Sequence, residues 1–233
     1  MIKKNIPNII TLGNLTLGVL AITNILSGNF TISCYFIFIA GLLDFLDGFL
    51  ARILKVSSEL GKQLDSLADM ISFGVAPSII IFNALSQNNS THIDLSFIIV
   101  LIPICSAIRL AKFNIDDNQG YSFLGLPTPA NALFLTSISL FNYNSDIILN
   151  YYLIITLIII TSVLLITRIE FFSLKFINYT IGDNSVKYIF TFLSIVIIFT
   201  SFLFNKFSIS IALIILLYII LSLVVNLIKR IKT

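Results

Sequence analysis

The sequence predicts an all-α, polytopic bundle of transmembrane helices, and three observations support this prediction. Hydrophobic residues make up 58% of the 233 residues and charged residues only 11%, whereas soluble domains carry roughly 25% charged residues. Several apolar runs reach about 20 residues, enough to cross a hydrocarbon layer of ~30 Å. The lysines and arginines cluster between these runs. We therefore expect residues 1–233 to form a single integral membrane domain.

Apolar windows between polar breaks predict about eight membrane spans. The predicted spans are residues 8–26, 30–54, 65–85, 94–112, 127–141, 151–167, 188–204 and 208–227. The fifth span is short and is interrupted by Pro127 and Pro129.

The distribution of basic residues predicts the orientation of these spans, because cationic loops tend to stay on the cytoplasmic side. With eight spans, one side of the membrane receives Lys3, Lys4, Arg52, Lys55, Lys62, Arg109, Lys112, Arg168, Lys175, Lys187, Lys229, Arg230 and Lys232. The opposite loops contain only Lys206. We therefore expect both termini in the cytoplasm. The net charge of +3 includes no basic tract typical of nucleic-acid binding, so no nucleic-acid partner is expected.

Four of the eleven acidic residues lie close together in two predicted spans. Asp44 and Asp47 fall in the second span, and Asp65 and Asp69 fall at the head of the third. A carboxylate deep in a span costs about 2.5 to 3.5 kcal/mol on insertion scales. Each pair has helical i,i+3 or i,i+4 spacing and so shares one helix face. Two adjacent helices would therefore point all four carboxylates at a common centre.

Divalent cations would compensate the repulsion among these carboxylates, and oxygen ligands suit Mg²⁺, Mn²⁺ or Ca²⁺ better than zinc. Two other interpretations remain open at this point. The aspartates could line a proton or ion pathway, or pair with Arg52 in a structural ion pair. His92, the only histidine, falls in a predicted external loop and is not expected to bind metal. Cys34 and Cys105 fall within spans and are interpreted as small buried side chains.

The spacing around the aspartates resembles a known family signature. The segment from Asp44 to Asp69 fits D-x-x-D-G-x-x-A-R-x(8)-G-x-x-x-D-x-x-x-D at every fixed position. This pattern is the signature of the CDP-alcohol phosphotransferase family. It lies in about a tenth of the chain, but the polytopic layout around it also resembles that family.

Three further stretches resemble the bacterial phosphatidylserine synthase branch of this family. They are residues 7–11 with Asn14, residues 72–77, and residues 106–114 followed by 125–130. One departure is Lys112, where that branch leads us to expect arginine. The charge is preserved there, but the two-pronged geometry of a guanidinium is not.

The resemblance implies an enzyme that moves a phosphatidyl group from CDP-diacylglycerol to L-serine, with CMP as the leaving group. It also implies two bound divalent ions, Mg²⁺ or Mn²⁺, held by Asp44, Asp47, Asp65 and Asp69, with Asp69 also taking the proton of the attacking hydroxyl. The residues expected to bind the CDP-lipid are Asn8, Gly48, Ala51, Arg52 and Gly61. A homodimer among the lipids of the bacterial inner membrane, with its active site facing the cytoplasm, is expected on the same basis.

Several alternatives stay open. Gly48 and Gly61 could make room for a nucleotide, or could serve close helix packing. Arg109 and Lys112 could bind the serine carboxylate or a lipid phosphate, or could anchor a helix end at the membrane interface. The acceptor could instead be glycerol 3-phosphate or inositol phosphate. An ion-coupled transporter and a non-catalytic scaffold are the competing functions from other classes.

Overall fold

The computed structural model describes residues 2–56, 58–86, 95–115, 122–144, 150–172 and 180–232, and these residues are mainly helical. The helices are α1 (Ile2–Leu26), α2 (Phe30–Ile53), α3 (Glu59–Asp69), α4 (Ala76–Ser86), α5 (Leu95–Ile99), α6 (Leu101–Ile115), α7 (Thr128–Asn144), α8 (Tyr151–Ile166), α9 (Ile181–Leu203) and α10 (Phe207–Lys232). A π-helical segment (Met70–Val75) joins α3 to α4 without a break. Two short strands, β1 (Ser122–Leu124) and β2 (Glu170–Phe172), complete the described fold.

The predicted all-α membrane bundle is confirmed. Among the described residues, six helical stretches are long and apolar enough to cross a membrane, namely Asn5–Leu26, Phe30–Ile53, Glu59–Ser86, Phe97–Ile115, Asn184–Leu203 and Phe207–Lys229. The other two predicted spans correspond to the shorter helices α7 and α8, of 17 and 16 residues. The even number of crossings and the cytoplasmic termini stay predictions.

The third membrane helix begins earlier than the sequence pattern indicated. Ser58 caps its first turn, because the Ser58 side chain accepts a hydrogen bond from the Gly61 backbone N–H at 3.0 Å. Serine at this position is a strong helix start signal. The helix therefore begins six residues before the predicted span start at Asp65, and Asp69 is the last residue of α3.

Helix α1 packs along α2 and also contacts α3 and the π-helical segment. A turn at Gly28, with φ of +82°, reverses the chain between α1 and α2. The approach to the π-helical segment is close, since a Cβ added at Gly18 would lie 2.4 Å from Ser72 Oγ and 2.9 Å from Ser72 Cα. Ser72 Oγ also donates a hydrogen bond to the Asn14 carbonyl at 2.9 Å. The start of the chain is thereby fixed directly against the segment that follows Asp69.

Helix α7 lies at the centre of the bundle. It contributes to a core cluster with α1, α2 and α4 and to a second cluster with α6, α8 and α10. Its buried residues occur on all sides and include polar ones such as Asn131, Thr136 and Ser137. Protein rather than lipid therefore surrounds α7, which explains why it is short and only moderately apolar.

The strand pair was not predicted from the sequence. β1 and β2 are antiparallel, with Phe123 opposite Phe171. The pair joins the segment after α6 to the segment after α8. Next to it, Gly125 has a φ of +78°, and a Cβ there would lie 2.3 Å from the Leu165 carbonyl oxygen. This position therefore requires glycine.

Candidate active site

Helices α2 and α3 bring three of the four predicted aspartates into one group. Oxygens of the Asp44, Asp47 and Asp65 carboxylates all lie within 4.8 Å of one another. The turn between the helices allows this approach. Lys55 takes a left-handed conformation with φ of 50°, and the Val56 N–H closes the end of α2 by donating to the Ala51 carbonyl at 3.0 Å. The fixed spacing of the signature thus spans a helix end, a turn and a capped helix start.

Asp69 lies deeper, next to this group. Only 5% of the residue is exposed, and its carboxylate interacts electrostatically with the other three aspartates and with Arg109. Asn14 Nδ2 lies 3.3 Å from Asp69 Oδ1 and donates a hydrogen bond to it. One carboxylate oxygen of Asp69 is therefore held by α1.

Helix α1 supplies a second donor to the acidic group, since Thr11 Oγ1 donates to Asp47 Oδ2 at 2.6 Å. Thr11 and Asn14 are i,i+3 neighbours and share a helix face. The sequence shows both residues in a family-like stretch, without linking either one to an individual aspartate. Their role could have been suspected from the sequence, because two polar residues at helical spacing are unusual in an apolar span.

The carboxylates fit a divalent cation because the protein gives them little counter-charge. Within the described parts of the chain, the only pair of opposite charges closer than 4 Å is Lys229 with Glu170. The alternative in which Arg52 pairs with an aspartate is therefore wrong. Arg52 is exposed, and its Nε donates to the Gly48 carbonyl at 2.8 Å. Three clustered carboxylates form an oxygen donor set suited to a hard ion.

A cavity of about 350 Å³ opens beside the acidic group. Four of the five residues predicted to bind the CDP-lipid line it, namely Asn8, Gly48, Ala51 and Gly61. Arg52 is not among the described residues that line it. Asp47 and Asp65 form part of its wall, so a phosphate-bearing ligand in this cavity would lie against the carboxylate group.

The two signature glycines differ in their surroundings. A Cβ at Gly48 would meet no described atom within 4 Å, whereas a Cβ at Gly61 would lie 2.9 Å from Asn8 Oδ1 and 3.0 Å from Ser58 Oγ. Gly48 therefore leaves space in the cavity. Gly61 serves the close packing of α3 against α1 and against its own N-cap.

A second cavity, of about 520 Å³, shares Phe113 with the first. Three cationic residues line it, Arg109, Lys112 and Arg168, and the described lining residues include no carboxylate. From the sequence, Arg168 contributes only to the predicted orientation of the helices. Its position after the sixth span gave no further signal, because its place in the cavity depends on the strand pair.

Arg109 is buried rather than interfacial, with only 8% of the residue exposed. Its Nη1 donates to Thr128 Oγ1 at 2.8 Å, and its guanidinium carbon lies 5.9 Å from the centre of the Phe113 ring. The buried Arg109 Nε has no hydrogen-bond partner among the described residues. This geometry disfavours a simple anchoring role for Arg109, whereas the exposed Lys112 is compatible with one. His92 and Lys175 lie outside the described residues.

Comparison with known proteins agrees with the family signature. The family model described as CDP-alcohol phosphatidyltransferase matches residues 4–159. A CDP-diacylglycerol–serine O-phosphatidyltransferase of Bacillus subtilis is 40% identical over 143 residues, which are 60% of this chain and 77% of that protein. The predicted resemblance is thereby confirmed.

Two further relatives extend the comparison. The protein of the same description from Helicobacter pylori is 40% identical over 131 residues, 55% of this chain and 54% of that protein. An archaetidylserine synthase of Methanothermobacter thermautotrophicus is 34% identical over 168 residues, 71% of this chain and 69% of that protein. The chain therefore spans about half of the Helicobacter relative and a larger share of the other two.

Proposed function

This chain belongs to the CDP-alcohol phosphatidyltransferase family, and from this premise we propose that it transfers the phosphatidyl group of CDP-diacylglycerol to L-serine, giving phosphatidylserine and CMP. The observation that carries the proposal is the group of signature carboxylates beside a cavity lined by signature residues. Serine is the proposed acceptor because the relatives described above are named for serine transfer. The relatives give no support to glycerol 3-phosphate or inositol phosphate.

Asp44, Asp47 and Asp65 would hold divalent ions, Mg²⁺ or Mn²⁺, and Asp69 would complete a two-ion site. When bound, such ions neutralise phosphate charge and align the attacking and departing oxygens. Thr11 and Asn14 fix the orientation of Asp47 and Asp69 through their hydrogen bonds. A site whose ligands are fixed in advance loses less free energy to reorganisation when the substrate binds.

Asp69 is the proposed general base. Its Oδ1 accepts the hydrogen bond from Asn14, which orients the carboxylate that takes the proton of the serine hydroxyl. The serine oxygen then forms a bond to the phosphorus that carries the diacylglycerol, and the bond from that phosphorus to CMP breaks. The displaced CMP leaves as a phosphate anion, and Asp69 returns its proton to solvent.

The cavity beside Gly48 is the proposed site for the CDP portion of the lipid. The open space at Gly48 and the small side chain of Ala51 let a nucleotide approach α2 closely. The cationic cavity is the proposed site for the acceptor. The unpaired Nε of Arg109 and the charges of Lys112 and Arg168 suit the serine carboxylate.

We further propose that the site faces the cytoplasm of a bacterial cell from the inner membrane, in a homodimer surrounded by membrane lipids. Several cationic residues support this orientation because they gather at one end of the bundle. Lys62 Nζ donates to the Asn114 carbonyl at 2.5 Å, and Arg109, Lys112 and Arg168 share one cavity. Cationic ends favour the cytoplasmic side.

The decisive experiment is incubation of the purified protein with CDP-diacylglycerol and a panel of labelled alcohols, with and without a chelator. We expect CMP release when serine is present. The release should stop when the metal is chelated and return when Mg²⁺ or Mn²⁺ is added back. Release with glycerol 3-phosphate or inositol phosphate, but not with serine, would overturn the acceptor assignment. CMP release that persists in excess chelator would overturn the metal assignment.

A further inference from the structure

The last helix, α10, is attached to the strand pair through one face. The residues Tyr218, Ser222, Asn226 and Lys229 follow one another at helical spacings of four, four and three, and so lie on the same side of α10. Three of them bond to β2 through their side chains. Tyr218 OH donates to the Phe172 carbonyl at 3.0 Å, and Lys229 Nζ lies 2.8 Å from Glu170 Oε2.

The contact of Asn226 is the most specific of the three. Its Oδ1 accepts from the Glu170 backbone N–H at 3.3 Å, and its Nδ2 donates to the Glu170 carbonyl. One side-chain amide thus pairs with both backbone groups of a single strand residue, as a neighbouring strand would. Asn226 Nδ2 also lies 2.8 Å from the Ser222 carbonyl, which it can reach as a donor. The amide is thereby held in place between β2 and α10.

Strand β2, which Asn226 holds, begins two residues after Arg168, and Arg168 lines the cationic cavity. On its other side Arg168 is close to the end of α8 at Ile166. Ile169 lies between Arg168 and Glu170, the residue that Asn226 contacts. Its carbonyl accepts a hydrogen bond from the Gly125 N–H at 2.9 Å. The short segment that carries Arg168 is therefore fixed at both ends, by α8 and by the Asn226 contact.

We propose that Asn226 is a positioning residue for acceptor binding, and that it acts by holding β2 so that Arg168 stays in the cationic cavity. Arg168, β2 and α10 all lie beyond residues 4–159, where the family model matches. The inference rests on the proposed function for the identity of the ligand in the cavity. The contact between Asn226 and Glu170, which we call the clamp, does not depend on that ligand. It gives the C-terminal helix a role in selecting the acceptor.

The test uses the full-length protein with Asn226→Ala, Arg168→Ala and the double variant. Ser222→Ala is the matched control, one turn away on the same face, and it leaves the Ser222 carbonyl in place. The readouts are kcat, the KM for serine and the KM for CDP-diacylglycerol. Hydrogen exchange of the segment 167–172 is measured in parallel, since it reports the clamp without any substrate.

Asn226→Ala and Arg168→Ala should each raise the KM for serine about tenfold, the size expected for a lost interaction with a charged group. The KM for CDP-diacylglycerol should stay within about twofold of its original value. The double variant should be no worse than Arg168→Ala alone, because both changes remove the same contact. Exchange of the segment 167–172 should become faster in Asn226→Ala and stay unchanged in Ser222→Ala.

The inference would be overturned if the double variant raised the KM for serine by the product of the two single increases. An unchanged KM for serine in either single variant would overturn it as well. Equal losses for serine and CDP-diacylglycerol would indicate a structural role and would overturn it too. If Asn226→Ala does not fold, Asn226→Asp takes its place, since it keeps the side-chain size but cannot donate to the Glu170 carbonyl. If the segment 167–172 exchanges faster in Asn226→Ala but the unmodified protein does not use serine, the proposed function is wrong. The contact between Asn226 and β2 is then still supported.

Discussion

Two hydrogen bonds from α1 hold individual aspartates of the acidic group. Thr11 donates to Asp47 and Asn14 donates to Asp69, so the first helix sets the orientation of carboxylates that belong to α2 and α3. A carboxylate held in this way keeps its geometry when its neighbours change. Thr11 therefore still holds Asp47 when Asp69 is substituted.

Asp69→Asn should lower kcat by at least about a hundredfold, because an amide cannot accept the hydroxyl proton. Binding of CDP should be nearly unchanged, since the cavity wall contains Asp47 and Asp65 rather than Asp69. CMP release and calorimetric binding of CDP measure the two effects. Glu59→Gln, an exposed acid in the first turn of α3, is the control. A variant at Asp69 that keeps more than about a tenth of the activity would exclude it as the base.

Gly48 provides a test of the nucleotide cavity. Gly48→Leu should raise the KM for CDP-diacylglycerol at least about tenfold, because its side chain would fill space that a ligand uses. Gly48→Ala is the matched control and should have a smaller effect, because its Cβ meets no described atom within 4 Å. Thermal unfolding should be similar in both variants. A leucine variant with unchanged kinetics would show that the nucleotide does not bind there.

At the scale of elements, α1 approaches the π-helical segment closely at Gly18. An added Cβ has less room there than at Gly13, the other glycine of α1. Gly18→Ala should destabilise the protein by about 1 to 3 kcal/mol, the usual cost of overpacking, because its Cβ would overlap Ser72. Gly13→Ala is the comparison, since its Cβ would meet only the end of the Leu43 side chain, at 3.2 Å. Thermal unfolding in detergent measures both. Equal stability of the two variants would contradict the close approach.

The helices were predictable from the sequence because every apolar window except the short fifth one has the length of a membrane crossing. The start of α3 was missed because hydropathy does not detect a cap such as Ser58, which lies in a polar stretch before the apolar run. The strand pair was missed for a different reason. Strands of three residues carry no periodicity of their own, and β1 and β2 pair across more than forty positions of sequence.

The predicted and the unpredicted residues of the site also differ in how far apart in sequence their contacts are. Asp44, Asp47 and Asp65 were found because their spacing is local and their cost in a membrane is high. Arg168 and Asn226 were not identified as site residues, because their roles depend on contacts between distant segments. The surroundings of Gly48 and Gly61 also needed the structure, since the same residue type leaves space in one case and allows packing in the other.

At the scale of the whole molecule, the acidic group links metal binding to stability. Mn²⁺ or Mg²⁺ should raise the unfolding temperature of the unmodified protein, because the ions bind the folded state. Asp65→Asn should lose most of this increase. Without metal, it should be at least as stable as the unmodified protein, because like charges repel one another. Glu59→Gln should behave like the unmodified protein. An identical metal response in Asp65→Asn would exclude Asp65 as a ligand.

Helix α7 has a consequence for how the protein is made. It is enclosed by its neighbours and carries Asn131, Thr136 and Ser137 within the core, so its sequence favours protein contacts over lipid. A segment of this kind gains little by partitioning into a bilayer alone. Its stable insertion during biosynthesis therefore depends on partner helices that the ribosome produces later, α10 above all, and the bundle must mature as a cooperative unit rather than one crossing at a time.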